Sequence, residues 1–424
     1  MPVCYYNSDF NTSYRCDYEI ENEKISVTVE YDIMDEITPV NGTIVYTSST
    51  KFKERDILIV DYEKKNNYLL KDACFAGINN IFGSPDEVSR TSFVSNVYFS
   101  HSDFRKLMLI PETPKISKIK IVSNSLLNWI DNSSLTTSIT DDELTYKLSR
   151  NFNPIHFQLN QHNIAGISIY DNWKTMQKPN DRSIHIEFFG TIEIELSNRI
   201  KYTDVVEYLL ELIVYMQLFA PDKFMIDTFS VMVNDTYYSM SVPLIEVAHK
   251  ERYVAKTTES TLAKHLERCY MRIPFRIGNN NIRNIRYIIL KTSRSLEDNF
   301  LLFYRFIECY YKSREVTHKN FVSRGIIDHC TTKHFESEDA IENYSREIIS
   351  LRNHYVHSGY HIRNASLKIR FMKIDGKENP KNYTVNNVDA RWIYDRTYTL
   401  YRIAIDLIFK EMLRCDTYKF DKHF

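Results

Sequence analysis

An α+β multidomain protein is what this sequence predicts: a β-rich N-terminal domain of sandwich or barrel type, followed by an α-helical bundle. Three observations carry the prediction. At 424 residues the chain exceeds what one hydrophobic core usually organises. Apolar residues recur mainly with a period of two up to about position 250, and with a period of three to four beyond it. The charge changes with the period. Residues 1–250 hold 23 Lys+Arg against 34 Asp+Glu, net −11, whereas residues 251–424 hold 31 against 21, net +10. The expected division is a β-rich domain over 1–250, a basic connector over 251–289 and a bundle over 290–424.

In the first part, Ile25, Val27, Val29, Tyr31 and Ile33 alternate with mainly polar residues, the period of a half-buried strand. Strand-like runs follow at 42–48, 56–60, 93–100, 116–122 and 164–170, then at 183–189 and 191–196. Gly190 separates the last two, which predicts a hairpin or bulge there. Two more strands are expected at 224–233 and 237–242. One helix interrupts the series. Thr203 is its predicted cap, with Val206, Leu209, Leu210, Ile213 and Val214 as its apolar face and Pro221 beyond its end. Many short strands separated by turn residues suit a sandwich or barrel.

Beyond 250 the pattern is helical. Lys264, Arg268, Arg272 and Arg276 recur every four residues, although Pro274 argues against a continuous helix through all of them. Ser295 with Asp298 forms a capping box ahead of the apolar run 300–307. A second helix is expected over 317–329. A third starts near Ser337, and Ile341, Tyr344, Ile348, Leu351 and Tyr355 form its apolar stripe. A polar, partly strand-like insertion occupies 362–389, and a last helix covers 391–414. Four helices with one insertion make a small bundle.

Composition narrows the class. Seven scattered cysteines with no CxxC pair suit a reducing cytosol. No secretory signal is evident, and the longest apolar stretch, 208–220, is too short and too polar to span a bilayer, so a cytoplasmic protein without membrane contact is expected. The basic third suits a polyanionic partner; attraction between the acidic and basic parts is the other reading. Nucleotide-binding, dinucleotide and serine-elbow motifs are absent. His329, Cys330 and His334 lack a fourth ligand at zinc-site spacing.

Catalytic chemistry is suggested by Arg352-Asn353-His354-Tyr355-Val356-His357, an R-N-x-x-x-H pattern near the end of the third helix, with Gly359 as a helix stop. Arg followed five positions later by His is expected roughly once by composition alone, and Arg324 with His329 is a second instance. Requiring Asn after the Arg lowers the expectation to roughly 0.06. Arginine, always charged and forked, suits charge growing on phosphate oxygens. Histidine, with an ordinary pKa of about 6.5, suits removal of a ribose 2′-OH proton. On a continuous helix the two would stand about 140° apart. Convergence then needs a helix end or distortion near His357, or a second subunit. The plainer reading is a surface ion pair for Arg352 and a C-terminal helix partner in His357.

The motif, its helix and the C-terminal bundle resemble the HEPN superfamily of ribonucleases over roughly 290–415. The β-rich first part is similar in layout to the ApeA-like antiphage proteins. The resemblance implies a HEPN-type bundle and a metal-independent endoribonuclease without cofactor. It implies Arg352 and His357 as catalytic pair and Asn353 as the residue that orients them. It also implies a homodimer or higher homo-oligomer, an RNA substrate such as tRNA, products ending in 2′,3′-cyclic phosphate, and a phage-derived protein trigger. His354, Lys264, Arg268, Arg272 and Arg276 are secondary RNA-contact candidates. Two other classes remain open: a catalytically silent HEPN module that binds RNA or protein, and a ligand-binding β-domain dimerised by its bundle.

Overall fold

The computed structural model describes residues 2–6, 13–21, 23–32, 38–40, 43–45, 55–80, 88–128, 134–139, 144–149, 154–161, 163–177, 184–219, 224–242, 253–254, 259–272, 295–312, 337–358, 366–369, 382–412 and 419–420. The chain divides into two compact units, Met1–Leu210 with Phe224–Ile245, and Glu211–Lys223 with Glu246–Phe424.

The first unit is built on antiparallel strands. In chain order they begin β1 (Val3–Tyr6), β2 (Ser13–Glu21), β3 (Lys24–Asp32), the small pair β4 (Thr38–Val40) and β5 (Thr43–Val45), β6 (Arg55–Asp61), β7 (Asn66–Asn80), β8 (Val88–Ser95) and β9 (Tyr98–His101). A five-residue helix α1 (Phe104–Met108) precedes β10 (Lys115–Ser123). The hairpin β11 (Ser134–Ile139) and β12 (Leu144–Ser149) follows, then β13 (Ile155–Gln161), β14 (Ile164–Gln177) and β15 (Ile184–Lys201). After helix α2 (Val205–Phe219) come β16 (Thr228–Val233) and β17 (Thr236–Ser241).

Thirteen of these strands share one hydrogen-bonded sheet, in the order β13-β14-β15-β10-β16-β17-β9-β7-β6-β1-β2-β3-β8, and β8 pairs again with β7. The second pairing closes β7-β6-β1-β2-β3-β8 into a six-stranded ring, while the remaining strands run on from β9 as an open sheet. The alternation read at Ile25, Val27 and Val29 points these side chains into the ring, where they pack with Cys16, Ile57, Ile59, Leu70, Ala73 and Phe93. In the open sheet Ile119, Ile121, Ile167, Ile169, Ile192, Ile194 and Val231 are buried by the same alternation.

Closure depends on β7, whose first half pairs with β9 and whose second half pairs with β8. The change falls at a bulge. Register against β6 moves from Leu70↔Ile57 to Ala73↔Arg55, so Lys71 and Asp72 together oppose Asp56. Asp72 takes φ 49°, the left-handed region, and its carboxylate accepts a hydrogen bond from Tyr202. Lys71 is buried, paired with Asp56 and donating to the Glu112 carbonyl at 2.7 Å.

Gly190 is neither a hairpin nor a bulge. β15 runs through it in register, with Gly190 opposite Ser123 on one side and Asp171 on the other. A Cβ at 190 would lie 2.6–2.8 Å from the side chain of Leu126, so the glycine admits Leu126 against the strand. Beyond that point β10 stops, and Asn172–Gln177 pair with Ile184–Phe189 in an extension that is two-stranded among the described residues. Thr203 does not cap α2. It lies inside a 3-10 turn, Tyr202–Asp204, whose capping position is Lys201. Nor is α2 amphipathic with a single buried face, since every residue from Tyr208 to Leu218 is buried.

In the second unit the expected connector holds a helix, α3 (Glu259–Arg272), with Leu266, Cys269 and Tyr270 buried and the Tyr270 ring 4.8 Å from that of Tyr215. Helices α4 (Leu296–Lys312), α5 (Glu338–Ser358) and α6 (Ala390–Asp406) follow. Ser295 caps α4 by accepting from the Asp298 amide at 2.9 Å, and Ser337 caps α5 by accepting from Ala340 at 3.2 Å. α6 is capped by Asp389 and ends in a π-turn, Leu407–Met412, in place of the uniform helix expected over 391–414. Among the described residues the insertion carries one antiparallel pair, β19 (Leu367–Ile369) with β20 (Tyr383–Val385), and β18 (Tyr253–Val254) pairs with β21 (Lys419–Phe420). The helix expected over 317–329, Ile33 and the His329–His334 cluster lie outside the described residues. Among the described residues no helix is long and apolar enough to cross a membrane.

Gly190→Val should destabilise the first unit by about 1–3 kcal/mol through overpacking against Leu126, read as a lower urea midpoint. Adding Leu126→Ala should return part of that loss.

Candidate functional site

The third predicted helix is present as α5, and its buried face holds Tyr344, Ile348, Leu351 and Tyr355 as the spacing required, the Ile341 side chain lying outside the described residues. Tyr355 packs edge-on against Phe300 of α4 at 5.5 Å. This contact fixes the rotation of α5. Arg352, one position past Leu351, is therefore half-buried at the rim, while Val356 and His357 are exposed.

Among the described residues two contacts hold Arg352. Its guanidinium lies 5.7 Å from the ring centroid of Tyr304, and Nη1 donates to Asn353 Oδ1 at 3.1 Å. Tyr304 is buried on α4; burial first and the carboxylate of Glu308 second push its phenol up to about 12, against the opposing pull of Arg352. A cation over an aromatic face gains more when water is kept away, as under this half-buried side chain.

α5 is continuous through Ser358, so any break in the helix comes after His357. Within one chain the Cα–Cβ directions of Arg352 and His357 thus differ by about 140°. Asn353 stands between them. It is one residue from Arg352 and four from His357, and positions four apart share a helix face. The Arg352–Asn353 hydrogen bond draws the guanidinium toward the side of the helix that carries His357. His357 occupies the last turn of the helix. His354 is half-buried, its ring centroid 6.4 Å from that of Tyr355.

α3 carries Lys264, Arg268 and Arg272 and ends at Arg272; Arg268 and Arg272 are exposed, and Arg276 lies outside the described residues. Among the described residues no group of three or more His, Cys, Asp or Glu is placed to hold a metal.

Two features escaped the sequence reading. Tyr304 sits in an apolar run with nothing to distinguish it from a core aromatic. The second is a polar knot between α5 and α6. Arg396 Nε and Nη2 both donate to Glu347 Oε2, at 2.9 and 2.8 Å, and Tyr383 donates to Oε1 at 2.8 Å. The Trp392 ring covers the Arg396 guanidinium at 4.1 Å. No local pattern pairs residues 49 positions apart.

Comparison of the chain with protein-family models, curated proteins and solved structures finds no match.

A raised phenol favours the folded state below the unfolded pKa near 10, and that contribution is lost as pH climbs through about 12. Between pH 9 and pH 11 wild type should therefore lose about 1 kcal/mol more stability than Tyr304→Phe. Urea midpoints of both proteins at the two pH values measure this, and equal losses would contradict it.

Proposed function

We propose that this protein is a metal-independent endoribonuclease of HEPN type, acting in antiphage defence on tRNA or another structured RNA. The supporting observation is the Arg352-Asn353-x-x-x-His357 constellation, with the arginine braced by Tyr304 and Asn353 and the histidine exposed at the helix end. In this reading His357 removes the proton from a ribose 2′-OH, and the resulting alkoxide attacks the adjacent phosphorus. Arg352 neutralises charge on the non-bridging oxygens in the transition state. The products are a 2′,3′-cyclic phosphate and a 5′-OH end, and DNA is inert because it lacks the nucleophile.

An azimuth of about 140° between the pair favours a site shared by two chains, the arginine of one working with the histidine of the other. The homodimer, or higher homo-oligomer, is then part of the active site. The acidic β-rich unit is assigned the sensing of a phage-derived protein trigger, since an uncontrolled ribonuclease would destroy its own host's RNA. The same azimuth also favours a second reading, a catalytically silent module that binds RNA or protein.

Incubation with total RNA in EDTA separates the two. Wild type should leave cyclic-phosphate ends, and His357→Ala and Arg352→Ala should each be slower by about 10²–10⁴-fold. A mixture of the two variants should regain activity if the site is shared. Equal cleavage by His357→Ala would remove His357 from the site. Binding without cleavage, with trigger-bearing phage lysate present, would favour the silent module.

A further inference from the structure

One outward face of α6 alternates cations and aromatic rings. Arg391, Tyr394, Tyr398 and Arg402 follow one another at spacings of three, four and four, which places them within about 80° of azimuth. The opposite face is core, with Ile393, Thr397, Leu400, Tyr401 and Ala404 buried. Arg391 and Tyr394 are exposed, and Tyr398 and Arg402 are half-buried. Tyr394 leaves 41% of its surface in water, a poor use of a large ring if packing were its only role.

The rings are arranged, not merely exposed. Those of Tyr394 and Tyr398 are parallel to within 3°, with centroids 6.3 Å apart. The Arg402 guanidinium carbon lies 5.8 Å from the Tyr398 centroid, so cation and ring form one surface. Asp395 flanks the stripe and lines a hollow of about 410 Å³ with Asn343, Glu347 and Arg396, on the other side of the row. The stripe also runs toward the motif helix. Phe303 of α4 touches Tyr401, its rings 5.0 Å away, and the next residue, Tyr304, carries Arg352. Arg402 thus stands at about the level of Arg352 along the bundle.

We propose that this stripe is a platform for single-stranded RNA, with unstacked bases lying on Tyr394 and Tyr398 and the flanking phosphates held by Arg391 and Arg402. Parallel aromatic rings bind bases of any sequence through their faces, and interleaved arginines supply the charge a backbone needs. The net charge of +10 over residues 251–424 matches such a polyanion. The assignment rests on the ribonuclease reading for its occupant. It narrows that reading's substrate to a loop or other unpaired stretch, delivered toward Arg352.

The test uses the full chain and a labelled 2′-O-methyl RNA of about 15 nucleotides, long enough for one such groove. It cannot be cut through a 2′-OH, so binding is read without cleavage. Fluorescence anisotropy should show binding to wild type. Tyr394→Leu with Tyr398→Leu should weaken it roughly 10-fold or more, and Tyr394→Phe with Tyr398→Phe should keep it within about 2-fold. Arg391→Gln with Arg402→Gln should flatten the dependence of log K on log salt by about 1.4, which is 0.7 per phosphate contact. A duplex of the same length should be indifferent to the tyrosine changes. Unchanged affinity in the leucine variant, or no binding by wild type at low salt, overturns the platform. Should the leucine variant misfold by circular dichroism, the salt slope of the arginine variant decides instead. Failure of the ribonuclease reading looks different: stacking-dependent binding would persist while unmodified RNA stays uncut.

Discussion

A buried ammonium group sits at the one position where β7 must change partners. To close a ring and also continue into an open sheet, a single strand has to offer the same edge to two different neighbours. β7 does so at Lys71 and Asp72, and the extra residue turns the strand there. The cost is a backbone in the left-handed region and a lysine removed from water. Both are answered locally, by Asp56 opposite the bulge, by the Glu112 carbonyl and by Tyr202 on the Asp72 carboxylate. Burial pushes the Asp56 carboxyl up, and the neighbouring Lys71 pulls it back toward the ionised form. Losing one partner of such a pair typically costs about 3–5 kcal/mol, because the other is left charged in the interior. Ring and open sheet therefore share one joint.

The same economy appears in the helical unit, with the roles reversed. In the β-rich unit a cation is hidden to shape the backbone. In α5 a backbone fixed by Tyr355 against Phe300 positions a cation at the rim. Among the described residues Arg352 meets a neutral amide and an aromatic face, with no carboxylate in hydrogen-bond contact. Those two contacts leave its positive charge uncompensated. Arg396, on the neighbouring helix, is the contrast: its Nε and Nη2 both donate to the Glu347 carboxylate.

How much of this was legible depends on the distance over which each cause acts. Ile25, Val27 and Val29 declare their strand because alternation is local, and Ser295 declares its helix because a cap reaches only three residues. Tyr344, Ile348, Leu351 and Tyr355 likewise fixed the face of α5, and with it the rim position of Arg352. Gly190 misled because a glycine reads as a break, whereas its cause is Leu126, 64 positions away in sequence and pressed against the strand. Thr203 misled because a 3-10 turn moved the helix start. Tyr304 and the closure through β7 were invisible for the same reason: each is defined by a partner that no short window contains.

The two-stranded extension beyond Gly190 has a consequence for motion. Amides of β15 near Ile192 and Ile194 sit between β10 and β14 and lie over buried isoleucines, so they exchange with solvent deuterium only when the sheet opens as a whole. Those of Ile184–Phe189 have β14 alone as ladder partner among the described residues, and a lone pair of strands is marginal in water. One continuous strand thus carries two clocks, a slow one rooted in the sheet and a fast one where β14 is its single described neighbour, with the crossover at the glycine.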